Sequence, residues 1–497
     1  MTERNDRLLA FVAAATVALL VLGFVGLGDQ SLWLDEEMSL NIATAGREQM
    51  ALWFTSHPEQ HPLYYLLLRG WTAVFGTSEV ALRSLSLLFA AAAVPLLYVL
   101  GRDLLGRREG AAAAVLLALS PFWLFYAREG RMYTLLVALG ILASILALVD
   151  ARSTGDQPDG GAGLPWLYWL TATLGMYTHF FFGFLVLAHA AAVLLRSGDL
   201  RRNAPRALLL GLPVLVAYGP WLAFTVAHMP EGQDWKGLRH VVFGIPYTLV
   251  RFAIGYAELP IQYRWQDRLG ELLRASAPLL VAAVVAHAVL FCRGTVEAAH
   301  RGRVERTFLS SCLILPVAVP LLLSPWMILS GERYFMLVLP FYLLVLGAGF
   351  VRLVEPGPGR VIRAIAPAVL VLVTARCLWA YRSNPEFGKE QWREVVRTIE
   401  AEAVPGPVLV IVAPDMSEGV LDYYLDQTPR LRLEPWRPGE PVRVADARRI
   451  WVVVTRLLDP SEVTGSLPVG WEEVERRLFP KDTGIWLIAF DRVAPDP

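Results

Sequence analysis

The chain has 497 residues, of which 55% are hydrophobic and 18% charged, and its 45 basic residues balance its 45 acidic ones. A formal net charge of zero provides no overall basic field for nucleic acid, and the three cysteines form neither a disulfide framework nor a metal-type spacing. Apolar runs of about 20 residues, enough to cross ~30 Å of hydrocarbon as helices, recur along most of the chain. The composition predicts a polytopic membrane protein.

The first apolar run, from Leu8 to Gly28, follows the charged start MTERNDR. It is too long for the apolar region of a signal peptide and lacks a small-residue cleavage site. We interpret it as a retained first transmembrane helix.

Apolar segments recur along the first four fifths of the chain. If the N-terminus is cytoplasmic, every loop on that side carries arginine, as the positive-inside rule requires. The stretch from 164 to 195 is long for one crossing and short for two, and the charge pattern favours two short helices that meet near residues 177–182. We therefore predict a mostly α-helical bundle in the inner (plasma) membrane, with about eleven spans: 8–28, 80–101, 110–127, 132–149, 164–178, 180–195, 207–227, 271–292, 308–329, 334–351 and 364–381.

Other segments are predicted to lie outside the hydrocarbon. HPLYYLLLRGW (61–71) and the mixed stretch 235–259 have the character of interfacial or re-entrant pieces, and GDQPDGGAG (155–163) that of a flexible cytoplasmic loop. After Arg382 the pattern changes: KEQWREVVRTIEAE and SEGVLDYYL predict helices, and PVLVIVA, RRIWVVVTR and GIWLIAFDRV predict strands. We predict a transmembrane domain, 1–382, and a small extracytoplasmic α/β domain, 383–497.

The stretch SLWLDEEMSL (31–40) places three acids just after the first span. Acids in such a position are often merely solvated, but Trp33 and the apolar residues that follow would hold these at the membrane edge. Partial desolvation raises the proton affinity of a carboxylate, so Asp35 or Glu36 is a candidate general base. Glu37 should project in another direction and be more solvated.

Two histidines frame SHPEQHPLYY, and a third lies in YTHFFF. The i, i+4 spacing of His57 and His61 would suit a metal only on a helix, which Pro58 and Pro62 disfavour. A hydrogen bond to a phosphate or sugar fits better, and a structural role is an equal alternative. For His179 the alternatives are capping of a helical turn and contact with a substrate.

Arginines lie in two tight loops on the predicted outer side, YAREGRMY (126–133) and SGERY (330–334). This placement runs against the positive-inside bias. Internal ion pairs, of Glu129 with Arg128 or Arg131 and of Glu332 with Arg333, would explain it. Recognition of an anion by guanidinium forks is the alternative, and we favour it for Arg131 and Arg333.

Several stretches resemble one enzyme family, both in their order along the chain and in their predicted extracytoplasmic position. They are LWLDEEMSL, HPLYYLLLRGW with SEVALRSLSLLFA behind it, SPFWLFYAREGRMYTLL, YTHFFFGFLVLAHA and ERYFMLVLPFYLLVLG. Over roughly residues 1–380 the chain resembles the GT-C glycosyltransferases of the protein O-mannosyltransferase and aminoarabinose transferase type, and most of all their bacterial mannosyltransferase-like relatives. The resemblance implies inverting transfer of a sugar, a hexose such as mannose or a pentose, from a polyprenyl-phosphate carrier to an extracytoplasmic glycan, lipid or protein.

The resemblance also implies roles for particular residues. Asp35, with Glu36, would supply the base or orient the acceptor, and Arg333 with Tyr334 would hold the carrier phosphate. The chain has HPEQHP and HPL where the family has an HPP-like stretch, so which histidine takes the family position stays open. Together with the candidates above, the predicted substrate-binding set is His57, His61, Tyr64, Arg128, Glu129, Arg131, Tyr133, His179, Arg333 and Tyr334.

Some members of that family bind a divalent metal and others need none, so we assign no metal. Other classes compete with the enzyme. A transporter or flippase of lipid-linked sugars would place ionisable residues near the bilayer midplane, whereas here they gather at one face. A polysaccharide ligase or polymerase shares the carrier lipid and differs in its acceptor, and a non-catalytic scaffold would use its tail to bind a partner.

Overall fold

The computed structural model of the chain describes residues 2–152, 165–228, 239–256, 265–323, 332–384, 389–402, 407–425, 431–440 and 442–493, apart from 443, 445–446, 456–457 and 480–483 in the last range. The predicted cytoplasmic loop 155–163 lies outside the described residues. So do the ends of the predicted segments 235–259 and 308–329, and residues 330–331 of SGERY.

The described part is mainly helical. A 3₁₀ turn, Glu332–Val338, leads directly into the fifteenth helix. The helices are α1 (Thr2–Phe24), α2 (Leu34–Thr44), α3 (Arg47–Ser56), α4 (Pro62–Phe75), α5 (Glu79–Leu104), α6 (Arg107–Leu119), α7 (Pro121–Ala127), α8 (Tyr133–Arg152), α9 (Pro165–Met176), α10 (Phe182–Leu195), α11 (Leu200–His228), α12 (Arg239–Ile254), α13 (Trp265–Ala299), α14 (Arg303–Leu323), α15 (Leu339–Val354), α16 (Arg360–Arg363), α17 (Ile365–Ser383), α18 (Trp392–Ala401), α19 (Glu418–Leu425) and α20 (Pro460–Thr464).

Eight helices in the described residues are long and apolar enough to cross a membrane: α1, α5, α8, α11, α13, α14, α15 with its leading turn, and α17. The pair α6 and α7 passes the same test as one span with a 59° bend, which raises the number to nine. Each of the eleven predicted segments contains a helix, but α9 and α10 have only 12 and 14 residues. The predicted meeting of two short helices near 177–182 is confirmed, and the chain is a multi-pass membrane protein.

Small residues allow the central helices to approach closely. Helix α15 is the most buried span, whereas α1, α11 and α17 are among the least buried and expose apolar side chains at the rim. Where α15 crosses α13, a Cβ added to Gly349 would overlap the carbonyl of Leu290, and one added to Gly294 would overlap that of Val345. Such contacts between backbones are typical of helices packed in lipid.

The break between α6 and α7 follows from two residues. Pro121 has no N–H to continue the ladder, so α6 ends at Leu119. Ser120 then caps the new helix, because its Oγ accepts a hydrogen bond from the Trp123 amide at 3.3 Å. The bend directs the end of α7 and the loop 128–132 toward α2, where the candidate acids lie.

The C-terminal domain is a five-stranded sheet with strands β1 (Val408–Ala413), β2 (Leu431–Pro435), β3 (Arg449–Val454), β4 (Trp471–Phe479) and β5 (Ile485–Arg492). The order is β2-β1-β3-β5-β4; β1 pairs in parallel with β2 and β3, and β5 pairs antiparallel with β3 and β4. Helices α18 and α19 pack on one face through an apolar cluster that includes Trp392 and Trp451. The predicted small α/β domain is confirmed, with two additional strands, β2 and β4.

This domain sits directly on the loop that follows α1. The Tyr424 hydroxyl accepts a hydrogen bond from the Leu32 amide at 2.7 Å and donates one to Glu79 at 2.9 Å. The Arg393 amide donates to the Ser31 hydroxyl at 3.0 Å. The loop that carries the candidate acids is therefore held between the helix bundle and the C-terminal domain.

Glu37 differs from its sequence-based prediction. It projects away from Asp35 as expected, but it is half-buried against Gly419 of α19 rather than more solvated than its neighbours. Burial, helped by the negative charge of Asp422 and opposed by a hydrogen bond from Asn41, raises the pKa of Glu37 to about 7.

Candidate active site

Asp35 lies in the first turn of α2 and faces Arg333, the second residue of the 3₁₀ turn before α15. Nη1 of Arg333 donates to Oδ2 of Asp35 at 2.8 Å. The two side chains remain 30% and 27% exposed, respectively. This ion pair is therefore open on one side, where a ligand can reach both groups.

Arg131 adds a second cation beside Asp35. Its Nη1 donates to the Tyr65 hydroxyl at 3.1 Å, to Ser39 Oγ at 3.2 Å and to the Asp35 carbonyl oxygen at 3.4 Å. Burial raises the pKa of Asp35, but the guanidinium groups of Arg131 and Arg333 outweigh it and hold that pKa below its ordinary value. Asp35 is therefore ionised at neutral pH, with two fixed cations next to it.

Glu36, the next residue, is fully buried and points into the protein. Arg83 donates to both of its oxygens, at 2.9 and 2.7 Å, and the Lys389 ammonium and the Gly130 amide donate to Oε1 at 2.6 and 2.9 Å. Burial raises the pKa of Glu36, yet Arg83 and Lys389 lower it to about 2. Glu36 therefore joins four segments of the chain, and its oxygens are occupied.

Arg83 also fixes the backbone that leads into α2. Its Nη1 donates to the carbonyl oxygens of Leu27 at 2.8 Å and Gln30 at 2.7 Å, and its Nη2 donates to that of Ser31 at 2.7 Å. A buried ion pair offsets its desolvation only when the remaining donors are satisfied. Here each guanidinium nitrogen of Arg83 has a partner.

Arg128 does not pair with Glu129. Its guanidinium caps the C-terminal end of α1 and donates to the carbonyls of Leu22, Gly23, Val25 and Gly26 at 3.3, 3.3, 2.8 and 2.5 Å. A cation at this end of a helix meets carbonyls that have no partner in the helix. The sequence predicted Arg128 as a substrate contact, and its position supports an additional or alternative role in holding α1.

Glu129 is 1% exposed, and neither of its carboxyl oxygens has a hydrogen-bond partner among the described residues. Burial, more than any neighbouring charge, raises its pKa to about 8, and the negative charges of Asp35 and Glu36 act in the same direction. The group is therefore neutral at pH 7, and it can donate as well as accept a hydrogen bond.

An aromatic row lies on the other side of Arg333. The His61 Nε2 lies 2.8 Å from the Tyr218 hydroxyl, the His61 and His179 rings are 5.9 Å apart, and His179 is 5.7 Å from Tyr334. Tyr334 in turn stacks on Phe181 at 5.2 Å. Burial lowers the pKa of His61 to about 4 and that of His179 well below its ordinary value, so both rings are neutral at pH 7.

His57 takes a different position from His61. It ends α3, its ring stacks on Trp53 at 4.5 Å, and its Nδ1 lies 3.2 Å from the Trp53 carbonyl oxygen. The structure thus brings His61 into the aromatic row beside Tyr334, whereas the contacts described for His57 are local. The geometry favours His61 as the histidine of the site.

Two predicted tyrosines are buried next to Arg131. The Tyr64 hydroxyl lies 3.1 Å from Ser86 Oγ, which donates to the Arg131 carbonyl oxygen at 3.1 Å. Tyr133 packs edge-on against Tyr126 with ring centres 5.2 Å apart. Both therefore support the backbone and walls around the loop 128–132.

Sequence analysis missed four residues that hold this arrangement: Ser39, Tyr65, Arg83 and Lys389. Arg83 had a usable signal, because a charged residue at the start of an apolar span needs a partner inside the bundle. Tyr65 and Ser39 fall one helical turn or less from predicted residues, and Lys389 has no motif around it.

The described residues contain no group of three or more His, Cys, Asp or Glu side chains arranged to hold a metal ion. Of the acids near Arg333, Glu36 is already neutralised by Arg83 and Lys389. The part of the chain that the structure describes therefore forms no metal site, and the steps argued below involve no metal.

Residues 56–224 match the family model described as dolichyl-phosphate-mannose-protein mannosyltransferase. The matched range begins after Asp35 and ends before Arg333, so it includes the loop 128–132 and the histidines but only part of the site. Among curated protein sequences, none matches this chain.

Solved structures of similar shape cover nearly the whole chain. ArnT from Cupriavidus metallidurans in the apo state shares 14% identity over 98% of both chains with a TM-score of 0.57, and the same protein bound to undecaprenyl phosphate shares 15% over 97% of this chain and 98% of that one, also at 0.57. The chain has the GT-C fold. The resemblance predicted from the motifs is confirmed.

A second GT-C structure agrees over most of the chain. The oligosaccharyltransferase AglB from Archaeoglobus fulgidus, in complex with an inhibitory peptide and a dolichol-phosphate, shares 11% identity over 90% of this chain and 69% of that one, with a TM-score of 0.53. Identities this low establish the GT-C fold, and the substrates have to be argued from the site itself.

Proposed function

We propose that this chain is a membrane glycosyltransferase that moves a sugar from a polyprenyl-phosphate carrier to an extracytoplasmic acceptor with inversion at the anomeric carbon. The observation that carries the proposal is the open ion pair of Asp35 with Arg333, with Arg131 beside it. It combines an ionised carboxylate, suited to deprotonate an acceptor, with two cations suited to a phosphate.

The similar proteins support the choice of donor. One ArnT structure is bound to undecaprenyl phosphate, and the AglB complex contains a dolichol-phosphate. The family model that matches residues 56–224 is described by a dolichyl-phosphate-mannose donor. These are properties of those proteins, and they make polyprenyl-phosphate sugars the first donor class to test.

The proposed reaction is a single displacement. Asp35 takes the proton of the acceptor hydroxyl while the hydroxyl oxygen forms its bond to the anomeric carbon. The bond between that carbon and the carrier phosphate breaks, and its electron pair stays on the phosphate. Arg131 and Arg333 stabilise the charge that develops there, and the bundle holds both partners in line.

Arg333 is able to serve both groups at once. A guanidinium has five N–H donors in a planar fork, and among the described residues Arg333 donates one hydrogen bond, to Asp35. Its remaining donors can meet a phosphate while Asp35 stays oriented. The single ammonium of a lysine could not hold both Asp35 and the phosphate in fixed positions.

The position of the site favours an enzyme over a transporter. Asp35 follows the end of α1, Arg131 precedes α8, and Arg333 precedes α15, so the charges collect at helix ends rather than in the middle of the spans. Because the arginine pattern predicts that these ends face outward, we propose an extracytoplasmic site in the inner membrane. Reporter fusions at residues 155, 300 and 357 should read cytoplasmic, and one at residue 400 should not.

The deciding experiment is transfer by the purified chain in lipid nanodiscs. A panel of labelled polyprenyl-phosphate hexoses, including mannose, and pentoses is offered with membrane extracts as acceptors, and the Asp35→Asn protein is the blank. Transfer by the parent alone supports the proposal. Movement of the intact lipid-linked sugar across the bilayer without transfer would instead establish a transporter.

The acceptor distinguishes the remaining enzyme classes. A polysaccharide ligase or polymerase would use the same carrier and extend or attach a polymer. Mass spectrometry of the glycans lost in a deletion strain identifies both sugar and acceptor. Loss of single-sugar decorations is expected here, whereas loss of whole polymers would favour the ligase or polymerase.

A further inference from the structure

Lys389, at the start of the C-terminal domain, reaches the buried Glu36 carboxylate behind the candidate site. Its Nζ donates to Glu36 Oε1 at 2.6 Å and to the Arg128 carbonyl oxygen at 2.8 Å, and it lies 6.0 Å from the centre of the Phe125 ring. The side chain is completely buried. It is the first described residue after 385–388 and lies six positions beyond Ser383, the last residue of α17.

Lysine is unusual in this chain. Of the 45 basic residues, three are lysines, Lys236, Lys389 and Lys481. Arginine supplies a planar fork, whereas lysine places a compact charge with three donors at one point. At position 389 two acceptors, one on α2 and one just after α7, meet at that single point.

The two acceptors belong to the segments that carry the reacting groups. Glu36 is the neighbour of Asp35, and the Arg128 carbonyl lies in the loop that carries Arg131. The Gly130 amide of that loop also donates to Glu36 Oε1, at 2.9 Å. Lys389 therefore closes a small ring of hydrogen bonds that sets the separation between the two segments.

We propose that Lys389 is a positioning residue for sugar transfer. Its hydrogen bonds hold the Asp35 segment against the Arg131 segment and make the C-terminal domain part of the active site. The inference rests on the proposed function for its catalytic part. Lys389 does not contact the open ion pair, so it acts through Glu36 and the loop 128–131.

The charges around Lys389 agree with this role. Burial and the nearby Arg83 lower its pKa to about 8, against the opposite effect of Glu36 and Glu129. The ammonium is thus charged at neutral pH, where it gives the buried Glu36 carboxylate a second cation beside Arg83. Removing one partner of such a buried network is costly.

A polar cavity adjoins Lys389. It has a volume of about 280 Å³ and lies between the ends of α1 and α17 and the start of the C-terminal domain; its lining includes Asp29, Arg128, Tyr381, Lys389 and Glu394. If the Lys389 side chain is shortened to alanine, a small amine can enter from this cavity and occupy the place of the ammonium.

The first test measures whether Lys389 holds the two segments together, and it needs no substrate. Hydrogen–deuterium exchange is compared between the parent and Lys389→Ala, with and without methylammonium chloride. Exchange in residues 28–37 and 128–131 should rise in the variant and return toward the parent value with methylammonium, but not with potassium chloride. Unchanged exchange in both segments would overturn the proposal.

A matched control and a second variant accompany this test. Arg449→Ala removes a cation that pairs with Asp491 at 2.7 Å inside the sheet, and it should leave both segments unchanged. Lys389→Gln keeps a donor without the charge, so it should fold if Lys389→Ala does not. It should show raised exchange that methylammonium cannot reverse, because the side chain fills the site.

The second test measures transfer. The Lys389→Ala protein should lose ~10- to 100-fold in kcat, the range expected for reacting groups displaced by about 1 Å, with a nearly unchanged donor KM. Methylammonium should restore kcat, and methanol should not. Raised exchange with full kcat would overturn the positioning role. A parent that transfers no sugar at all would instead refute the proposed function, and the exchange result would still decide whether Lys389 ties the two segments.

Discussion

Arg333 and Asp35 are 298 positions apart in the chain, yet their Nη1 and Oδ2 atoms lie 2.8 Å apart. The pair joins the first turn of α2 to the 3₁₀ turn before α15. It brings together a carboxylate and a cation that both keep an exposed side, and the proposed chemistry depends on this arrangement.

The Arg333→Lys variant should weaken use of the lipid-linked donor. A point charge cannot hold Asp35 and a phosphate through a planar fork, and loss of one charge-assisted contact is worth ~1.5 to 3 kcal/mol, or about ten- to a hundredfold. Donor dependence of the transfer rate measures the effect. Arg352→Lys, an exposed position at the other end of α15, is the control. Unchanged donor dependence in both Arg333→Ala and Arg131→Ala would remove the two arginines from the site.

The Asp35→Asn variant keeps the size of the side chain and one oxygen to accept from Arg333, so the protein should fold. Loss of a general base should lower turnover by ~10² to 10⁴. Asp29→Asn, an exposed acid in the same loop, should have little effect. Turnover of Asp35→Asn equal to that of the parent would exclude Asp35 as the base.

The Glu36→Gln variant should primarily affect stability. It leaves Arg83 and Lys389 as buried cations without a carboxylate, and breaking a buried pair in this way costs ~3 to 5 kcal/mol. A lowered unfolding temperature in detergent is the measurement. Glu473→Gln, which breaks an exposed pair with Arg476, should cost less than about 1 kcal/mol. A loss of turnover with parental stability would instead favour Glu36 as the base.

The same carboxylate predicts a response to acid. The folded protein lowers the pKa of Glu36 from 4.5 to about 2. The resulting stability is fully present above pH 4.5 and is lost as the pH falls toward 2, because the unfolded chain takes up the proton first. The unfolding temperature of the parent should therefore fall over this range, and that of Glu36→Gln should depend less on pH.

Two buried groups change charge near pH 8. Above this pH Lys389 loses its charge and Glu129 gains one, since the pKa of each is about 8. Turnover should fall above pH 8. If the fall persists in Glu129→Gln, Lys389 is responsible, and if it disappears, Glu129 is. Constant turnover of the parent up to pH 9 would contradict both assignments.

The crossing of α13 and α15 predicts a sensitive glycine. A methyl group at Gly349 would meet the Leu290 backbone, and overpacking of this kind costs ~1 to 3 kcal/mol. The Gly349→Ala protein should unfold at a lower temperature than the parent. The matched Gly219→Ala change, on α11 with open space around it, should not destabilise the protein.

Hydrophobic patterns predicted the helices well and the sheet in part. Strands β1, β3 and β5 are buried and rich in Val and Ile, so their sequences are distinct from a loop. Strands β2 and β4 lie at the two edges of the sheet and contain several charged residues, as in LRLEP and WEEVERRLF. An edge strand buries less apolar surface than a central strand. Its sequence therefore shows a weaker hydrophobic pattern, and strand prediction depends on that pattern.

Partners of charged residues were harder to predict than the residues themselves. Asp35, Arg131 and Arg333 were predicted for the site, but the only ion pairs that the sequence offered were between neighbours, Arg333 with Glu332 and Glu129 with Arg128 or Arg131. Helix packing decides otherwise: Arg333 turns to Asp35, and Arg128 turns to the end of α1. Contacts across hundreds of residues have no local signal in a single sequence.

The long separation of Asp35 from its partners has a consequence for biogenesis. The first span is synthesised early, and the ion pair of Glu36 with Arg83 requires only that α5 has also been made. Arg333 and Lys389 are synthesised only after most of the bundle has entered the membrane. If the proposed function holds, a nascent chain should stay inert toward lipid-linked sugars until its last span and Lys389 are in place, so truncated products of interrupted translation should not consume the carrier.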